Sequence, residues 1–154
     1  MRRVIIFLAS VGYVGYIPVA SGTFGSIVAI PLFFWFDALR AASVPLYVIT
    51  FAAIVAAACW IAGKAEEFLR EHDSHKIVID EVAGYLAATL FLSPTWSHVL
   101  WAFFIFRAFD VLKPFPANYI DENFPGGYGV TLDDVVSGLY TNLAMRLLIA
   151  IVGV

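Results

Sequence analysis

VPLYVITFAAIVAAACWIAG, residues Val44–Gly63, decides the class of fold. Its twenty residues carry no charge, and at helical rise they cover about 30 Å, the thickness of a bilayer's hydrocarbon core. The segment therefore reads as a transmembrane helix. The rest of the chain agrees: 62% of its 154 residues are hydrophobic and the mean hydropathy is +0.88, far from a soluble domain. The length suits one domain, residues 1–154, and the expected fold is all-α, an integral membrane helical bundle.

Outward from this segment the pattern continues. Phe24 to Phe36 is apolar until Asp37 and Arg40, with a kink expected at Pro31. Val82 to Leu92 and Val99 to Phe106, separated by Ser93-Pro94, predict a helical hairpin once flanking residues are added. Val135 to Val154 predicts the last span, interrupted by Asn142 and Arg146. Pro114 and Pro116 end the second hairpin arm, and Pro125-Gly126-Gly127-Tyr128-Gly129 reads as a connecting loop. Between Gly63 and Ile79 lies a solvated helix end and loop, with Glu66 and Arg70 as an i,i+4 pair and His72, Asp73 and His75 in solvent. Met1-Arg2-Arg3 and the apolar run after it have the outline of a secretory leader. Gly12, Gly15 and Pro18 break that run, so a retained interfacial or re-entrant helix is expected instead.

Charge and cysteine exclude several functions. A net charge of -3 with scattered basic residues lacks the footprint of a nucleic-acid binder. Cys59, the single cysteine, lies inside the first segment, which rules out an internal disulfide or a cysteine zinc cluster. With the N-terminus inside, the Lys/Arg bias puts Arg2, Arg3, Lys64, Arg70, Lys76, Arg107 and Lys113 on the cytoplasmic side, Arg40 outside and Arg146 within the last span.

The acids that remain near the membrane edge are the best pointers to function, because charge near hydrocarbon is costly to keep. Asp80 and Gly84 are four apart, as are Asp134 and Gly138, so each helix carries an acid and a glycine on one face. Glycine permits close helix approach in membranes. If those faces meet, Asp80, Glu81, Asp133 and Asp134 converge, and four carboxylates at close range need a cation. Hard oxygen donors suit Mg2+. Simple helix N-capping by Asp80 and Asp133 is the bland alternative.

Arg107, Asp110 and Lys113 recur at i, i+3, i+6, fanning over a helix that Pro114 stops; an arginine fork and a lysine charge suit a phosphate. Snorkelling cations paired with Asp110 are the alternative. Gly22-Thr23-Phe24-Gly25-Ser26 reads as a small-residue loop entering a helix, able to offer N–H groups and hydroxyls to an anion or merely to start the helix with Thr23 or Ser21 as N-cap. No nucleophile elbow or activated-cysteine setting occurs, which leaves metal-assisted hydrolysis.

Taken in order, GTFGSIVAIP at Gly22–Pro31, IVIDEVAG at Ile77–Gly84, FRAFDVLKPFP at Phe106–Pro116 and GGYGVTLDDVVSG at Gly126–Gly138 resemble the phosphatidylglycerophosphatase A family. Ser21 stands where a proline often precedes the GT pair, and Ile79 where an aromatic often precedes the DE pair. The resemblance implies a compact helical domain, multi-pass in the bacterial cytoplasmic membrane, that hydrolyses phosphatidylglycerophosphate with Mg2+ as cofactor. It brings Asp121 in beside Asp80, Glu81, Asp110, Asp133 and Asp134, with Arg107 and Lys113 as cations and Thr23 and Ser26 as loop hydroxyls.

The combined expectation is a polar site facing the cytoplasm and a phospholipid substrate held in the membrane. Asp80, Glu81, Asp133 and Asp134 would hold Mg2+, with Asp80, Asp110 and Asp134 catalytic. Thr23, Ser26, Arg107, Lys113 and Asp121 would bind substrate. Attack by water and an aspartyl-phosphate route both remain open. The rival from another class is a small transporter or ion-conducting protein, which predicts charges spread through the bilayer depth. A purely structural subunit is the third reading.

Overall fold

A computed structural model describes residues 1–71 and 74–153. The expectation for His72 and Asp73 falls outside them. Among the described residues every regular element is helical: α1 (Arg2–Ala9), α2 (Ser21–Ala42), α3 (Val44–Leu69), α4 (Ile79–Ala88), α5 (Trp96–Leu112), α6 (Ala117–Asn123) and α7 (Gly127–Val152), with a 3-10 turn over Val14–Tyr16. The all-α expectation holds. α2, α3 and α7 are each long and apolar enough to cross a membrane.

Local chemistry starts these helices. Ser43 caps α3 by accepting from the Leu46 N–H, with a proline in the first turn. Thr95 does the same for α5 through the His98 N–H. The expected small-residue loop at Gly22–Ser26 is instead the first turns of α2, which begins at Ser21 behind a left-handed Ala20 and runs on through Pro31. Likewise α7 starts at Gly127, inside the stretch read as a loop. There the backbones of α3 and α7 nearly touch, and a Cβ on Gly127 would lie 2.0 Å from the Cys59 carbonyl. α1 buries Ile5 and Ala9 with Ile61, Ala62 and Ala65 of α3 and leaves Val4, Phe7 and Leu8 exposed, as suits a helix lying at an interface.

α4 differs from its expectation. Rather than an arm matching α5, it has ten residues, about 15 Å of helix, and is buried from Val82 to Ala88. It packs against α2, α3 and α5, and most extensively against α7. The α4–α7 crossing is set by glycine. A Cβ on Gly138 would lie 2.1 Å from the Gly84 carbonyl, and one on Gly84 would lie 2.6 Å from the Phe106 ring and 2.8 Å from the Asp134 carbonyl.

A helix that stops inside apolar surroundings leaves carbonyls that need donors. Asn142 Nδ2 donates to the carbonyls of Ala88 (3.0 Å) and Leu90 (2.8 Å), and Arg146 Nη2 to Leu90 (3.1 Å). The Phe91 N–H donates to the Tyr47 hydroxyl, and Arg40, paired with Asp37, reaches the Phe91 carbonyl. The two residues that interrupt the last span in sequence thus finish the end of α4.

Candidate active site

At the opposite end of α4, the sequence pattern delivers its acids to one point. Asp80 and Glu81 occupy the first turn of α4. Asp134 lies one turn before Gly138 on α7, so the glycine crossing carries it to them. Asp80, Glu81 and Asp134 each place a carboxylate oxygen within 4.8 Å of the others. Asp80 and Asp134 are buried and Glu81 nearly so. The Glu81 N–H donates to Asp80 Oδ1 (2.9 Å), which fixes the turn.

α2 closes over this point. A Cβ on Gly22 would lie 2.0 Å from Glu81 Oε1 and 3.2 Å from Arg107 Nη1, so only glycine leaves room for that carboxylate. Arg107 pairs with Asp110 at 2.6 Å. Lys113 does not complete a helical fan with them. It leaves α5 in the left-handed region as the C-cap, because a residue before proline avoids the helical conformation. Its ammonium swings to Asp121 of α6 (2.8 Å) and Asp133 of α7 (2.7 Å).

Asp133 therefore gives Oδ2 to Lys113 and is not one of the three carboxylates within 4.8 Å of one another, although it lines the same cavity and its Oδ1 is buried without a hydrogen-bond partner. The expected four-acid cluster is a group of three, with Asp133 holding Lys113. Burial works against the Lys113 ammonium, but the hydrogen bonds to Asp121 and Asp133 and their charges outweigh it and raise its pKa above the ordinary lysine value.

Asp80, Glu81, Asp110, Val111, Lys113, Asp133 and Asp134 line a cavity of about 290 Å³. Thr23 and Ser26 are absent from its wall, and the Ser26 hydroxyl is used within α2, donating to the Gly22 carbonyl (3.0 Å). Ser21, Ser74 and His75, absent from the expected set, do line it. Ser21 Oγ donates to the His75 carbonyl (2.7 Å), tying the start of α2 to the loop before α4. Their positions immediately before the GT pair and just upstream of the DE pair were the available signal. His98 and Arg146 line a separate cavity at the far end of α4.

The donor set fits a hard divalent cation. All three donors are carboxylates, and Glu81 Oε2 is buried with no hydrogen-bond partner. Burial first, then the neighbouring charge of Asp80, pushes the Glu81 carboxyl well above the ordinary carboxylate range, while Arg107 pulls the other way. A cation among these oxygens removes that penalty. Oxygen-only ligation with room for water suits Mg2+.

A profile of the phosphatidylglycerophosphatase A family matches residues 7–149. The chain belongs to the phosphatidylglycerophosphatase A family. Among relatives carrying that name, the Haemophilus influenzae protein is 35% identical over 137 residues, covering 88% of this chain and 83% of its own. The Escherichia coli phosphatidylglycerophosphatase A is 34% identical over 135 residues, 86% of this chain and 76% of its own. A Bacteroides thetaiotaomicron protein, provisionally named a phosphatidylinositol-3-phosphatase, is 38% identical over 137 residues, 82% of each chain. No solved structure matches this phosphatidylglycerophosphatase A family chain.

Proposed function

We propose that this chain is a Mg2+-dependent lipid phosphatase of the bacterial cytoplasmic membrane. It hydrolyses phosphatidylglycerophosphate to phosphatidylglycerol and inorganic phosphate, a step of phospholipid biosynthesis, with its site facing the cytoplasm. The observation that carries this reading is the convergence of Asp80, Glu81 and Asp134 beside the Arg107–Asp110 pair and the Lys113 ammonium. Family membership narrows the substrate to a phosphomonoester on a membrane lipid.

Asp80, Glu81 and Asp134 would hold Mg2+, which when bound supplies Lewis-acid polarisation of phosphoryl oxygens and a more acidic water. The remaining steps belong to the chain. Lys113, on the cavity wall and fixed by Asp121 and Asp133, would meet the charge that grows on the phosphoryl oxygens, while Arg107, outside that wall, holds Asp110 in place. Asp110 lines the cavity and accepts the proton of the attacking water as the new O–P bond forms and the ester O–P bond breaks. The proton then goes to the departing glycerol oxygen. Asp121 and Asp133 are bonded to Lys113, and Asp110 to Arg107. With the other three acids taken as ligands, Asp110 is the acid on the cavity wall that we assign to activating water rather than to attacking phosphorus itself.

The test is phosphate release from phosphatidylglycerophosphate by purified protein with Mg2+ and with a chelator, beside Asp80→Asn and Asp134→Asn. Release is expected only with the metal and with both acids intact. No release with any divalent ion rejects the activity, and full release by Asp134→Asn rejects the site. Phosphatidylinositol 3-phosphate in parallel addresses the Bacteroides relative, and faster turnover of that lipid would reassign the headgroup.

A further inference from the structure

Next to the polar cavity, on the other side of the α5 end, lies a second cavity of about 360 Å³ lined by Phe109, Pro114, Phe115, Tyr140, Leu143, Ala144 and Leu147. Every lining residue is apolar except for the tyrosine hydroxyl, which is used in donating to the Phe115 carbonyl (2.8 Å). That bond ties the α5–α6 turn to α7, and the Phe109 and Tyr140 rings lie 5.9 Å apart. The groove therefore has a fixed rim.

Two features link it to the phosphoryl site. Phe109 and Pro114 of the groove are the chain neighbours of Asp110 and Lys113 of the polar cavity, so one turn of backbone forms both walls. Along α7 the order is Asp133 and Asp134, then Tyr140, Leu143 and Leu147. At helical rise the groove thus lies about 10 to 20 Å further along the span than the acids. A phospholipid has the same order, phosphate first and acyl chain deeper. Val111 and Leu112, each 74% exposed, and Leu143 and Leu147, more than half exposed, leave this side open to lipid.

We infer that this groove seats one acyl chain of the lipid whose phosphate binds at Lys113, so that the enzyme's affinity depends on the length of that chain. The inference rests on the proposed lipid phosphatase reading. Its occupant is the substrate's own chain, because a phosphomonoester carries more negative charge than the phosphodiester of a bulk lipid and gains more from the Lys113 ammonium beside the groove.

The test is Ala144→Trp, which fills the groove from a position outside the polar site. In detergent micelles, KM for long-chain phosphatidylglycerophosphate should rise about tenfold with kcat unchanged. The dihexanoyl analogue, too short to fill the groove, should keep its wild-type kcat/KM. Equal loss on both substrates, or no change on the long-chain one, overturns the inference. A photoreactive long-chain phosphatidic acid supplies a readout independent of turnover. It should label residues 140–147 in the wild type and not in Ala144→Trp. Labelling elsewhere overturns the groove even if hydrolysis is normal. If the wild type hydrolyses neither lipid, the proposed reaction fails while this labelling still decides the groove.

Discussion

Gly138→Ala puts the smallest possible wedge into the contact that brings the acids together. The added Cβ would lie 2.1 Å from the Gly84 carbonyl and 2.8 Å from the Ala87 Cβ. Real contacts of this kind start at about 3.0 Å, so the two backbones must separate by about 0.9 Å, and neither contact atom can rotate away as a flexible side chain could. The three carboxylate oxygens span up to 4.8 Å. Mg2+ holds oxygens at about 2.1 Å, so opposite ligands are about 4.2 Å apart. Small carboxylate rotations close the present gap, but a further 0.9 Å between α4 and α7 does not close. Overpacking should lower stability by about 1–3 kcal/mol. A displacement near 1 Å should lower kcat by about 100-fold and raise the Mg2+ concentration for half-maximal rate. The assay is phosphate release across a Mg2+ series, with tryptophan fluorescence melting to score folding and Leu139→Ala, on the exposed side of the same turn, as control. A Gly138→Ala enzyme with wild-type rate and Mg2+ dependence would refute the idea that this crossing sets the site.

Gly22→Ala makes the contrasting case, since its Cβ meets the end of the Glu81 side chain rather than backbone; activity should fall by about tenfold or more with the melting temperature nearly unchanged. Asp133→Asn should raise KM for the lipid and leave Mg2+ half-saturation alone, whereas Asp80→Asn should give no release at any Mg2+ concentration; the same kinetic titration separates a partner of Lys113 from a metal ligand. Asn142→Leu strips the Ala88 and Leu90 carbonyls of a donor and should destabilise the protein by about 1–3 kcal/mol in a denaturation series, with Asn142→Gln partly restoring it. Hydrolysis of a chiral, isotopically labelled thiophosphoryl analogue in oxygen-18 water should invert configuration at phosphorus, as one direct displacement does; retention would show two displacements through an aspartyl-phosphate.

The spans and the meeting of α4 with α7 were legible in sequence because both are matters of spacing. Uncharged runs report helix length, and acid-to-glycine intervals of four report a shared helical face. What spacing does not report is which chain-distant groups satisfy a buried end. The run Val82 to Leu92 stays apolar past the point where α4 stops, and the reason it stops lies in Asn142 and Arg146, more than fifty residues on. The DD pair misled in a similar way. Neighbouring residues on a helix point about 100° apart, so Asp134 turns to the acids of α4 and Asp133 to Lys113. Lys113 departed from its i+6 position because Pro114 pulls it out of the helix, a local rule that the fan-shaped reading overlooked.

These details also bear on the choice between an enzyme and a conduit. Asp80, Gly84 and Ala88 on α4 face Asp134, Gly138 and Asn142 on α7 at intervals of four, giving acids at one end, backbone contact in the middle and a hydrogen-bonded clamp at the other. An ion path would need polar groups joined through that middle. Instead the two backbones touch there, with the Phe106 ring and Tyr85 fully buried against the crossing. Polar groups at the clamp end are engaged with α4's last carbonyls and the following loop, and the buried hydroxyls between, Thr89, Ser137 and Thr141, each donate to a backbone carbonyl. Carboxylates gathered at one end of a close helix contact suit a reaction centre at a membrane face, and the charges at the other end, Arg146 and the Arg40–Asp37 pair, are spent on the carbonyls of Leu90 and Phe91.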